Sequence, residues 1–566
     1  MRESTRRLHG RTIAYITPEV AIDQQLATYS GGLGVLAGAV GRGAAKLGLN
    51  LITVAPLQRY GYYEQTKTIH PELKKPWMGI AYVEHTYEGV LEDPNVIVPV
   101  TIHDTLTWAK AWRVPRGAFD GAGETVYLDT YVAQNDDISR SNGAYLYPSL
   151  ACGGIPRHKV AQCKVLGSGA VAMLEALYGS VDLYCLNEVY SFGVIPELWT
   201  KYLNTGLSLS EAVALVKQKV VFTTHTPIKD GNPTFPLRDV REIFGDPRLD
   251  DLFGDCADAD GWFNPMKFCL KHASMTNAVS KKHAQVTREW QGKEVTSVTN
   301  GSDVHFWQHR DFTLADTSDA LAEAKCVHKR QLLDFVAGAT GKRFSENVLT
   351  VVWARRFAEY KRPKLIMENR AWLEQLLRSN RLQLIFSGKP HPEDSAMISV
   401  WSDILNYGGS VPNLVILPGY ELEMSRILKC GADVWLNTPR APLEACGTSG
   451  QSAAMNAGLN CSTVDGWMCE AERANFFPFG VERAATSFEQ DALDAALLRE
   501  VFEGTILPMY MTDKSTWYEM ALRAKREAEE HWSATRMVED YCERVYGKVL
   551  ADAQIYQFPQ PLKTAA

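Results

Sequence analysis

Four basic side chains crowd into the segment 355–362: Arg355, Arg356, Lys361 and Arg362, directly after the apolar run 347–354. Guanidinium and ammonium groups this close together suit a phosphate or a diphosphate, and Arg356 with Lys361 is the pair chosen for that task. By charge alone the same cluster reads equally as a solvated basic turn. A second anion grip is written in Gly31-Gly-Leu-Gly34, ahead of an Ala/Gly/Leu-rich stretch. Glycine lets backbone N–H groups approach an anion at a helix N-terminus, which singles out Gly32 and Gly34. A tight strand-to-helix turn has the same composition. Thr448-Ser-Gly450 offers two hydroxyls and a glycine, fit for a phosphate cradle or for a helix N-cap, and one use does not exclude the other. His225 closes an apolar run, a place where a lone histidine is usually structural.

These residues must be positioned by a scaffold. Apolar runs at 12–17, 50–56, 183–187 and 219–225 read as strands, as do later runs at 347–354, 382–387, 413–417 and 432–436. Helical patterns alternate with them, among them 321–337 and 363–377, and the Gly-rich stretch 31–48 supplies a loop and a helix between the first two strands. Such alternation predicts an α/β class with parallel sheets covered by helices, in two doubly wound, Rossmann-like halves. The divisions expected are 1–315, 316–530, and a charged helical segment with tail, 531–566, packing back. Phe558–Ala566 reads as a frayed end.

The totals exclude several classes. A chain of 566 residues exceeds one ordinary core, and its 46% hydrophobic and 22% charged residues are ordinary for a globular enzyme. A net charge of −7 gives no basic face for nucleic acid. Eleven cysteines, odd in number and without Cys-x-x-Cys, predict reduced thiols rather than a zinc site or disulfide framework, and no metal is expected. No leader-like h-region opens the chain, and no apolar run reaches the roughly 18 residues of a membrane span. A cytoplasmic enzyme without a membrane partner is expected.

The ordered set of motifs resembles the α-glucan (glycogen, starch, maltodextrin) phosphorylases. The matching segments are Tyr29-Ser-Gly-Gly-Leu-Gly-Val-Leu-Ala-Gly38, Phe222-Thr-Thr-His-Thr-Pro227 with Gly231-Asn232, Val298-Thr-Asn-Gly301, and Ala354-Arg-Arg-Phe-Ala-Glu-Tyr-Lys-Arg362. Glu444-Ala-Cys-Gly-Thr-Ser-Gly-Gln-Ser452 completes the set; Tyr15-Ile-Thr-Pro-Glu19 and Ser387-Gly-Lys-Pro-His-Pro392 match less closely. The resemblance implies the GT-B fold, two Rossmann-like domains with the active site between them. It implies that Arg356, Lys361 and the glycine loop hold the substrate phosphate. By the same resemblance His225 and Asn300 bond the sugar 6-hydroxyl, Glu444 and Gly447 the 3-hydroxyl edge, and Thr448, Ser449 and Gly450 cradle a cofactor phosphate. Arg355 stands where long-form relatives carry a lysine that meets that phosphate.

Several positions depart from the pattern, among them Ala39, where the family carries an acidic residue after the glycine loop, and Gln451, where it carries a methionine. Ser452 stands where the family lysine forms an imine with pyridoxal phosphate, and a hydroxyl cannot. Cys446 replaces a serine and is a weaker hydrogen-bond partner. On the acceptor side Asn187 and Glu188 are kept, but Tyr190 replaces a histidine. The expectation is therefore a retaining hexosyltransferase, most simply glucosyl, without covalent pyridoxal phosphate. A nucleotide sugar would be the donor, its base and ribose filling the vacated cofactor site, with Ser452 offering a hydroxyl. A phosphate-dependent α-glucan phosphorylase and a non-catalytic sugar-phosphate or glucan binder are the alternatives. The partners expected are a small sugar donor, a sugar acceptor, and a second copy of the chain in a homodimer.

Overall fold

The computed structural model describes residues 1–148, 150, 154–227 and 232–553. Gly231, Cys152 and the tail Phe558–Ala566 lie outside them. Two sheets organise the chain. The first holds nine strands in the order Thr296–Ser297, Met275–Ala278, Val220–Thr223, Leu183–Asn187, Thr12–Ile16, Asn50–Pro56, Glu124–Asp129, Thr105–Val114 and Ile97–Ile102. The pairings are parallel through Glu124–Asp129 and turn antiparallel only at the last two strands. The second sheet is wholly parallel: Leu414–Leu417, Leu382–Ser387, Leu349–Ala354, Val434–Asn437, Leu459–Thr463 and Phe477–Phe479. This is the GT-B arrangement that the resemblance implies.

The alternation of strand side chains decides the two faces of each sheet. In the first strand Ala14 and Ile16 join the core built on the helix Pro156–Tyr178, while Ile13 and Tyr15 join the opposite core. That opposite core also takes Ala534, Met537, Val538 and Tyr541 from the C-terminal helix Ala534–Tyr541, which lies against the helix Gly32–Lys46. In the second sheet Leu349, Val351 and Trp353 face one core, Val352 and Ala354 the other. Burial of these apolar surfaces supplies the main driving force at about 25 cal/mol per Å².

Some expectations need correction. The stretch 363–377 is not one helix. A short turn at Leu365–Met367 ends, Asn369 Oδ1 accepts from Trp372 N at 3.1 Å, and the helix runs Arg370–Arg378. No uninterrupted apolar run of membrane length occurs, but one helix reaches that length on average composition. Pro156–Tyr178 contains an 18-residue window of mean hydropathy 1.3, long and apolar enough to span by length and composition. It is a core helix, buried between the first sheet and its neighbours. Two antiparallel hairpins interrupt the βαβ alternation. One of them, Glu64–Ile69 with Pro76–Ala81, reaches from the first lobe to the second. Gln65 Nε2 donates to Gly388 O (3.1 Å), its Oε1 accepts from Gly419 N (3.0 Å), and Met78 N donates to Ser402 Oγ (3.1 Å).

The Val298-Thr-Asn-Gly301 turn is explained by this crossing of the C-terminal segment. Ser302 N donates to Trp532 O (2.8 Å) and Ala534 N to Ser302 O (2.9 Å). A Cβ on Gly301 would collide with the carbonyl of Ser533, so only glycine allows the close approach.

Candidate active site

The C-terminal ends of strands from both sheets face one cavity of about 590 Å³. A crevice at the strand ends is where open parallel sheets hold ligands. Of the residues singled out from sequence, Gly32, Glu188, Tyr190, His225, Asn300, Arg355, Arg356, Lys361, Glu444, Cys446, Gly447, Thr448, Ser449 and Ser452 line it. Gly34, Gly450 and Asn187 do not line it; Gly34 packs against Tyr29 and Glu19, and Asn187 bonds His225, which do.

On the first lobe the wall begins with the helix Gly32–Lys46. The first helical N–H groups have no intrahelical acceptor, and no side chain caps this end. Glu19 has taken the two N–H groups just before them: it accepts from Ser30 N at 2.5 Å and from Gly31 N at 3.2 Å. Gly34 makes this possible, because a Cβ there would stand 2.6 Å from Tyr29 Cβ and 2.9 Å from Glu19 Oε2. Gly32 by contrast has open space around it. Packing thus excludes a side chain at Gly34, while Gly32 opens onto the cavity.

His225 Nε2–H donates to Asn187 Oδ1 at 2.6 Å, and Asn187 Nδ2 donates to Thr17 Oγ1 at 3.0 Å, which fixes the ring and its tautomer. Burial, with His283 nearby, pushes the imidazole down to about 3, so it is neutral at ordinary pH. Glu188 is held in a left-handed backbone conformation, φ 74°, which costs about 1–3 kcal/mol for a residue with a side chain. Its carboxylate offsets this by accepting from Val189 N (3.0 Å) and His225 N (2.9 Å). Tyr190 lies beside Tyr147, ring centroids 5.6 Å apart.

On the second lobe two consecutive arginines leave the strand Leu349–Ala354 in different directions. Arg355 is buried, donates to Asn437 Oδ1 and to Ser449 Oγ (3.4 Å), and lies 3.5 Å from Glu444. Arg356 is open to the cavity and forms no ion pair among the described residues. Lys361 donates to Glu444 Oε2. Burial would raise the Glu444 carboxyl, but Lys361 and Arg355 outweigh it and hold it below the usual range. Glu444 N donates to Asp465 Oδ2 at 2.7 Å; burial pushes Asp465 up to about 7.

Gly447 has φ +84°, and the position where a Cβ would sit is 3.3 Å from the Glu444 carboxyl carbon, so a side chain would strain this turn twice over. The Cys446 thiol is buried and pushed up by that burial, hence neutral. Asn300 is buried with its Oδ1 unpartnered, a free acceptor on the wall. Thr448 occupies the N-cap position of the helix Ser449–Ala454, but its side chain forms no cap bond, so the capping use expected for this segment is not made. Ser449 Oγ instead accepts from Arg355 and from Trp435 Nε1 (3.3 Å). Gly450 faces Asn460 rather than the cavity. The hydroxyl of Ser452, a residue only 1% exposed, turns back on its own helix, donating to Ser449 O (3.2 Å) and Thr448 O (3.4 Å).

Several wall residues escaped the sequence reading. Lys389 donates to Tyr63 O (3.1 Å) and pairs with Glu421, which also accepts from Tyr29 OH (2.6 Å), so one carboxylate ties the two lobes at the cleft. Lys429, on the helix Leu422–Gly431, is a cavity residue too. Its signal was present: it follows Leu422 by seven positions, on the same stripe as Ser425 and Leu428. Away from the cavity, His309, Asp311 and His328 hold potential metal-ligand atoms within 4.8 Å of one another. Chemically the cavity offers the Arg356 guanidinium and helix N–H groups for an anion, a neutral histidine, and the Asn300 amide oxygen and the Glu444 carboxylate as acceptors for hydroxyls.

A family model described as carbohydrate phosphorylase matches residues 309–497. The chain is 35% identical to an uncharacterized protein of Methanocaldococcus jannaschii, over 94% of this chain and 99% of that one. It is 30% identical to a glycogen phosphorylase of Mycobacterium bovis, covering 94% of this chain and 70% of the relative. Identity to a maltodextrin phosphorylase of Thermococcus litoralis is 29%, covering 96% and 72%.

Proposed function

Because the chain belongs to the carbohydrate phosphorylase family, we propose that its cleft transfers a glucosyl group between a phosphate group and a sugar acceptor, with retention at the anomeric carbon. The observation that carries this reading is Arg356, a guanidinium open to the cavity with no carboxylate partner, in one cavity with the exposed N-terminus of the helix Gly32–Lys46. Such a pair of donors stabilises charge that develops on a departing phosphate. Glu444, tensioned between Lys361 and Arg355, and the orphaned Asn300 Oδ1 are acceptors for ring hydroxyls. Neutral His225 serves as a hydrogen-bonding wall rather than as an acid. In the synthetic direction the bond from C1 to the phosphate oxygen breaks, the bond from C1 to the acceptor oxygen forms on the same face, and the acceptor's proton passes to the departing phosphate.

The family implies pyridoxal phosphate, which when bound supplies a second phosphate beside that of the substrate. The residues fit its phosphate end: Arg355 and Ser449 are joined at 3.4 Å, with the Thr448 hydroxyl beside them on the wall. Position 452 does not fit its aldehyde end, since a serine has no amine. That mismatch favours a second reading, in which a nucleotide-activated hexose brings both phosphates in one molecule and needs no tether. Incubating the protein with glucose 1-phosphate and a maltodextrin, and separately with UDP-, GDP- and ADP-glucose, decides between them by the product released, phosphate or nucleoside diphosphate. Release of neither from any donor would overturn both.

A further inference from the structure

Lys429 is 3% exposed, and its side chain forms no hydrogen bond or ion pair among the described residues. Its Nζ lies 3.2 Å from the centroid of the Trp307 ring, and both residues line the cavity with Ser452. One side chain ties this corner together. Asn456 Nδ2 donates to Trp307 O (2.9 Å) and to Ser452 O (2.9 Å), while its Oδ1 accepts from the Cys430 thiol at 3.5 Å. The wall beside Lys429, its chain neighbour and the turn of Ser452 are thus fastened to a single amide.

A buried ammonium without an anion is costly, and the group escapes the cost by giving up its proton. Burial does hold the Lys429 amine well below its usual range, with Arg426 adding to the effect. A neutral amine has the lone pair that a carbonyl requires. Of the other cavity lysines, Lys361 is spent on Glu444 and Lys389 on Glu421, while Lys159 stands on the first-lobe helix Pro156–Tyr178 and not on the helix beside Ser452.

We propose that Lys429 is the amine to which this chain joins a phosphorylated aromatic aldehyde of the pyridoxal phosphate class, in place of the side chain that position 452 lacks. The Nζ lone pair attacks the aldehyde carbon. A C=N bond forms, the C=O bond breaks, and the carbonyl oxygen leaves as water with the two amine hydrogens, without any oxidant or reductant. The inference rests on the cavity being the phosphate-handling site proposed above.

The test uses the full chain and pyridoxal phosphate itself. Purified protein is incubated with the aldehyde, its near-ultraviolet and visible absorption recorded, and the adduct reduced with borohydride and mapped by peptide mass spectrometry. The expected result is an imine band and one pyridoxyl group on the peptide carrying Lys429, both lost in Lys429→Met and Lys429→Arg. Label confined to Lys159, Lys361, Lys389 or surface lysines, or no label at all, overturns the proposal. The mapping needs only the unmodified chain, so it decides even where a variant fails to fold. Phosphate release from glucose 1-phosphate is followed in parallel. Release without label at Lys429 sinks this inference alone, whereas label at Lys429 without glucosyl transfer from any donor sinks the function proposed for the cleft.

Discussion

Lys361 donates to Glu444 across 83 positions of sequence, so a cation assigned to the phosphate already rests on a carboxylate assigned to the sugar. The two roles are therefore coupled. Removing the carboxylate leaves Lys361 and Arg355 buried together without compensation, and breaking a buried pair costs on the order of 3 kcal/mol. Glu444→Gln is expected to lower glucosyl transfer and also to lower stability in chemical denaturation. Unchanged stability would mean that the pair is already solvated.

Arg356 has no such partner, so its removal should separate activity from stability. Arg356→Ala is expected to lower kcat/KM for glucose 1-phosphate by roughly 10²- to 10³-fold, the usual loss for one charge-stabilising donor. The melting temperature should hold. A variant that melts early but transfers at the normal rate would assign Arg356 to the scaffold.

The two glycines of the loop should respond differently. Gly34→Ala brings a methyl to 2.6 Å from Tyr29 Cβ and 2.9 Å from Glu19 Oε2, an overpacking expected to cost about 1–3 kcal/mol. Gly32→Ala meets nothing within 4 Å, so its melting temperature should stay close to that of the parent. Comparable losses at both positions would contradict the packing described for Glu19.

His225 carries a pH signature. Its ordinary value of 6.5 falls to about 3 in the fold, chiefly through burial. The unfolded chain therefore takes up a proton on His225 that the folded chain refuses. Its contribution is fully present above 6.5 and is lost as pH falls through that window toward about 3. His225→Gln should flatten the decline of melting temperature with acidification over this range. An identical slope in parent and variant would show that His225 does not titrate this way.

Ser452→Lys restores an amine to the helix turn beside Lys429. After borohydride reduction in the presence of pyridoxal phosphate, label is expected on the peptide carrying position 452 as well as, or instead of, that carrying Lys429. Label that never reaches position 452 would mean that this turn does not face the aldehyde.

Much of this protein was legible in the chain itself. Apolar runs alternating with amphipathic helices suffice for two parallel α/β halves, because strands covered on both faces must be apolar throughout, as Leu349–Ala354 is. The glycine loop, the basic segment and the Glu444 turn were legible as well, since glycine, charge and spacing are local properties. Only the folded chain could decide what each side chain meets. Arg355 and Arg356 are neighbours of the same type, yet one is buried on Asn437 and the other opens to the cavity. Nothing local in the sequence marks Lys429, yet it is buried on the cavity wall beside Trp307 with no ion-pair partner among the described residues. The physical reason is common to all of these: pattern reports which face of an element is apolar, whereas the charge state of a group depends on partners that lie scores of residues away and meet only when the two sheets close on one cleft.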